Sequence, residues 1–178
     1  MKTTLAALLL LSLCSSLALN DITTFIDQRD QNQYHYIELN GLNWMTENLR
    51  YNTEASMCVN EESDKCFSCG EFYLVEEALS ICPVGWRLPT EKEVKGIIKL
   101  DKKKKIDLKE LLNIDLCGRI DKRMHGRLGE QNVFWVNAPL KDGIIAHWHI
   151  TAEEQHVHSH NVVNAERQFP VRCVCELD

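Results

Sequence analysis

The sequence predicts an α+β fold in which two early helices pack on a twisted antiparallel sheet and disulfides brace the whole. Three observations carry this expectation. Apolar residues recur at helical spacing from Leu74 to Cys82, and a helix-start signal at Thr90 opens a second helical run. Strand-like runs crowd the second half of the chain, and helices kept apart from strands mark the α+β class. Seven cysteines (58, 66, 69, 82, 117, 173 and 175) follow an export-type leader, and exported cysteines tend to pair.

The leader itself is read from Lys2, the apolar run Leu5 to Leu13 and the small residues of Ser16-Leu17-Ala18, so residues 1–18 are expected to be a signal peptide cleaved after Ala18. Its apolar core of about ten residues is half the roughly 20 that a spanning helix needs, and no later run is long enough, so no transmembrane segment is expected. Cys14 offers a second outcome, a lipid-anchored N-terminus, but Leu13 stands where a lipobox takes Gly, Ala or Ser. The expected location is secreted or cell-surface. The remaining ~160 residues are the size of one domain with its own core. The formal net charge of −6 becomes about −7 once Lys2 leaves with the leader, which argues against nucleic acid as a partner.

The elements follow in order. Residues 19–33 are polar with scattered apolar positions and read as a lead-in. Tyr34 to Leu39 alternates, Asn40-Gly41 follows, and Leu42 to Met45 resumes; Asn-Gly accepts positive φ at both central positions of a type I′ turn, so this is a hairpin. Residues 52–69 are polar and loop-like. Leu74, Val75, Ala78, Leu79 and Cys82 share one helical face, and Pro83 ends that helix. Gly85 permits a turn that drops Trp86 and Leu88 into the core. Thr90 and Glu93 form a capping box for a helix from about Glu91 to Leu100, with Val94, Ile97 and Ile98 facing inward. The run Lys102 to Lys105, flanked by Asp101 and Asp107, reads as a solvated loop. Ile106 to Leu112 adds a helical turn or two. Strands are expected at 116–120, 133–136, 146–151, 156–161 and 169–175.

Three of these stretches carry a resemblance. Trp44-Met45-Thr46-Glu47-Asn48-Leu49, Cys82-Pro83-Val84-Gly85-Trp86-Arg87-Leu88-Pro89 and Phe169-Pro170-Val171-Arg172-Cys173-Val174 together resemble the Fibrobacter succinogenes major paralogous domain family. Val133-Phe134-Trp135-Val136 is similar to its aromatic strand. The resemblance covers residues 34–178 and implies a C-type lectin-like fold, shared with the formylglycine-generating enzymes. It implies disulfides Cys82–Cys173 and Cys58–Cys66, and a surface or secreted binding module whose late loops contact an extracellular ligand, carbohydrate or protein. Cys69, Cys117 and Cys175 depart from the family pattern; a third bond among them is expected, its pairing open.

Candidate chemistry centres on His147, His149, His156, His158 and His160. Alternate strand positions share a face, so if 147–150 and 156–160 pair across Ala152 to Gln155, five imidazoles line one surface and three or four can reach one Zn²⁺ or Cu²⁺. The plainer alternative has Trp148, Ile150 and Val157 facing the core and the histidines facing water. Cys66-Phe67-Ser68-Cys69 has redox-motif spacing but no preceding βαβ strand, and reads as structural. Four of Cys58, Cys66, Cys69, Cys173 and Cys175 can make a zinc site only in a reducing compartment. Glu61-Glu62-Ser63-Asp64 and Glu153-Glu154 offer oxygens for weak Ca²⁺ binding, without the sugar-binding signatures of lectins. Cys173-Val174-Cys175 is too closely spaced to copy the reactive pair of the formylglycine-generating enzymes. The chain has no Gly-x-Ser-x-Gly, His-Glu-x-x-His or Gly-rich phosphate loop, so no catalytic residues are assigned.

Overall fold

The computed structural model describes residues 23–59, 64–104, 106–163 and 166–177. The expected signal peptide (residues 1–18, with Cys14), Glu61 to Ser63 and Lys105 lie outside the described residues. The described chain is mostly antiparallel sheet with a few helices and three disulfides.

Strands β1 (Thr23–Ile26), β2 (Gln33–Leu39) and β3 (Leu42–Met45) form a meander. Asn40 and Gly41 join β2 to β3 with φ of 55° and 82°, the conformation that the Asn-Gly pair supplies at low cost. The lead-in is therefore partly a strand. Phe25 fastens it by stacking on Trp86, with ring centroids 4.4 Å apart, and on Tyr34 at 5.5 Å. Trp86 is consequently not the core plug expected of it; it lies half-buried against Phe25 and Tyr36, while Leu88 is buried.

The polar stretch before residue 70 is also more ordered than a loop. It contains β4 (Met57–Cys58) and α1 (Asp64–Cys69), followed by β5 (Glu71–Tyr73). The expected first helix shrinks to a single turn, α2 (Val75–Ala78). Leu74 gives it no side-chain cap, and Pro83 follows shortly with no N–H to donate, so the exposed Leu79 ends it.

The second helix, α3 (Glu91–Lys104), is the only helix longer than two turns among the described residues. Its start is the expected reciprocal cap: Thr90 N–H donates to Glu93 Oε2 (2.7 Å) and Glu93 N–H to Thr90 Oγ1 (3.3 Å). Lys102 to Lys104 belong to its last turns, not to a loop. A short α4 (Leu108–Leu111) is capped by Asp107, which accepts from two backbone N–H groups.

The remaining strands are β6 (Arg119–Asp121), β7 (Met124–Gly126), β8 (Gln131–Trp135), β9 (Ile144–Thr151), β10 (Gln155–Asn161), β11 (Arg167–Pro170) and β12 (Val174–Glu176). They do not build one sheet. The order is β1-β2-β3-β12 in one, β10-β9-β8 in a second and β4-β5-β11-β6-β7 in a third. The expected strand from 169 to 175 is split between two sheets, because the chain crosses at residues 171–173. There Val171 and Cys173 carbonyls accept from Leu49 and Met45, and Arg172 turns inward.

The core has two main parts. One packs Val94 and Ile97 of α3 against Trp44, Phe134 and Trp148. The other gathers Tyr73, Trp135, Ile145, Phe169 and Cys173. The disulfides pair Cys58 with Cys66, Cys69 with Cys117 and Cys82 with Cys173. Four of the five cysteines offered as a zinc set are thus bonded elsewhere, and that alternative is overturned. Cys175 lies outside the three bonds, with Asn43 Nδ2 at 3.6 Å from its sulfur.

The Cys82–Cys173 bond spans 91 residues and joins the turn before α3 to the crossing segment. Replacing both cysteines by Ala should lower the unfolding free energy by about 4–5 kcal/mol in the chain-entropy account. Urea titration of the oxidised proteins checks this; a loss below about 1 kcal/mol would show that the bond does not restrict the unfolded chain.

Candidate metal centre

Strands β9 and β10 pair antiparallel over seven positions, with His147 opposite His158 and His149 opposite His156; His160 lies one step beyond on the same side. The pleat sends Ala146, Trp148 and Ile150 to the other face, where they join the core under α3. All five histidines named from the sequence therefore lie together. Both expectations for this hairpin meet in part: Trp148 and Ile150 face the core, yet the histidine face is not simply wet, because His147 is only 1% exposed.

The rings touch one another. His158 is the central one, with centroids 4.3 Å from His147, 4.8 Å from His156, 5.3 Å from His160 and 5.4 Å from His149. His147 Nε2 and His158 Nε2 are 2.9 Å apart, so one donates to the other's lone pair. At His147 the second nitrogen decides which: Nδ1 lies 3.4 Å from the Ile145 carbonyl, which can only accept, so Nδ1 carries the proton and Nε2 presents a lone pair to the face. A carbonyl behind one ring nitrogen is the usual support for a metal-binding imidazole.

His149 is held by a residue that no sequence motif marks. Its Nε2 lies 2.8 Å from Gln131 Oε1 of β8, leaving buried Nδ1 with no hydrogen-bond partner among the described residues. His160 Nε2 is in the same condition. The register Gln131↔Thr151 sets Gln131 beside the face, but nothing in the sequence marks that strand pairing.

Two sets of three histidines converge: His147, His158 and His160, and His149, His156 and His158. In each, one ligand atom per residue lies within 4.8 Å of the others. Nitrogens bound to one tetrahedral ion at about 2 Å stand about 3.4 Å apart, so side-chain shifts on the order of 1 Å close either set around an ion. Cys58, Cys66 and Glu71 also converge, but the two sulfurs are bonded to each other.

Protonation is disfavoured at four of these histidines. Burial, then the neighbouring His160 and His158, pushes His147 down to about 3. Burial, then Arg167 and His158, pushes His160 down to about 4. Burial and the neighbouring histidines also lower His149 and His158. His147, His149, His158 and His160 are thus held in the neutral form at pH 7, the form that binds metals.

The other named candidates are scattered. Glu153 and Glu154 are exposed in the β9–β10 turn, the first accepting from Thr151 and the second 3.8 Å from His156. Cys66 and Cys69 both lie in α1 but bond to different partners. No protein-family profile, curated protein or solved structure matches this chain.

The neutral histidines make folding pH-dependent. An unfolded histidine takes its proton near 6.5, whereas folded His147 refuses it until about 3. Between those values the unfolded state binds more protons, so stability is complete above about pH 6.5 and falls as pH falls. The slope from His147 approaches about 1.4 kcal/mol per pH unit. Urea titrations at pH 7.5, 6 and 5 should show a shallower fall for His147→Asn than for the native chain; equal slopes would contradict this origin.

Proposed function

We propose that this chain is an exported, non-catalytic binding module whose ligand is a transition-metal ion of the Zn²⁺ or Cu²⁺ kind, held by the histidine face of β9 and β10. The observation that carries the proposal is the convergence of five imidazoles, three at a time, within 4.8 Å. Imidazole nitrogen suits Zn²⁺ and Cu²⁺, whereas Ca²⁺ and Mg²⁺ require oxygen, and no carboxylate belongs to either triad. Export is supported by three disulfides, which persist in oxidising compartments. Among the described residues no helix is long and apolar enough to cross a membrane.

The scaffold is read as C-type lectin-like. Its supports are the β2–β3 hairpin, the reciprocally capped α3 and the bond from Cys82 to the segment entering the last strand. On this reading the histidine hairpin occupies the late region where such modules meet their ligands.

Calorimetric titration with ZnCl₂ at pH 7.5 should show binding by the native chain. The His149→Ala/His158→Ala variant, which removes ligands from both triads, should bind at least tenfold more weakly. Absent binding, or binding unaffected by the double substitution, would defeat the proposal.

A further inference from the structure

The two triads are not independent, because both contain His158. We infer that the face holds one metal ion at a time in two overlapping seats, an outer one at His149, His156 and His158 and an inner one at His147, His158 and His160. This rests on the face being a metal site, as proposed above.

Three features of the site support single occupancy with exchange. His158 packs against each of the other four rings, so it is the one ligand from which an ion can reach either pair of partners. Neutral imidazoles cancel none of a metal's charge, and two dications a few ångströms apart would repel strongly with no carboxylate among the ligands to offset them. The seats also differ in access. The outer three histidines are all partly exposed, with His149 and His156 nearer the β9–β10 turn, while the inner seat is floored by buried His147, which packs on Phe169. An ion captured at the outer seat can therefore move inward by trading His149 and His156 for His147 and His160 while His158 holds it.

Native mass spectrometry and competition titration with Zn²⁺ test this on four variants of the oxidised chain. The native protein should bind one zinc even at several-fold excess. His156→Ala and His160→Ala each remove one seat and leave the other, so each should still bind one zinc with affinity reduced less than tenfold. His158→Ala, and the double variant His156→Ala/His160→Ala, break both seats and should each lose at least a hundredfold. The double variant keeps His158, so its result stands even if His158→Ala fails to fold. Two zinc ions on the native chain, or a double variant that loses no more than the product of its two single losses, would overturn the shared-ligand inference while leaving the metal site intact. No zinc on the native chain would defeat the metal site itself.

Discussion

The position of Trp148 is the constraint on which the site depends. Its ring lies among buried aromatics, 5.4 Å from Phe134 and 6.5 Å edge-on from Trp44, on the face of β9 that closes the core under α3. A strand alternates strictly, so fixing Trp148 inward puts His147 and His149 on the opposite face. The pairing of β10 then adds His156, His158 and His160 to that face. A slip of one residue in β9 would drive two imidazoles into an apolar core and expose the largest side chain of the strand, so the register is strongly specified.

The sheet carrying the histidines is fixed from behind by Arg172, the most deeply buried cation described. Its guanidinium donates to Asn48 Oδ1 from both Nε (3.1 Å) and Nη2 (2.6 Å) and to the Leu112 carbonyl. It also lies 5.1 Å from the centroid of Phe134, the neighbour of Trp148. Burial pushes its pKa down to about 9, and among the described residues its hydrogen bonds go to neutral acceptors. Arg172 belongs to the crossing segment that the Cys82–Cys173 bond secures one residue later. The same segment leads from β11, whose Phe169 floors the histidine face. Core, disulfide and candidate site thus converge on one short stretch of chain.

Much of this was legible in the sequence where local chemistry decides structure. The Asn40-Gly41 turn, the Thr90/Glu93 cap and the alternating histidines each specify a conformation within a few residues, and each lies where expected. Features that depend on distant partners were not legible. Thr23–Ile26 is a strand only because β2 offers an edge and Trp86 a ring for Phe25. The division of the strands among three sheets, the Cys69–Cys117 pairing and the support of His149 by Gln131 all arise from contacts between residues far apart in the chain. Helix α2 falls short of its apolar pattern because periodicity alone does not supply caps.

The proposed site holds its ion with histidines of one sheet face and with no sulfur. X-ray absorption at the zinc edge of the zinc-loaded protein tests this most directly. The expected result is a first shell of nitrogen or oxygen at about 2.0 Å with the outer-shell scattering of about three imidazole rings. A sulfur shell near 2.3 Å, or a first shell of oxygen without imidazole scattering, would contradict it.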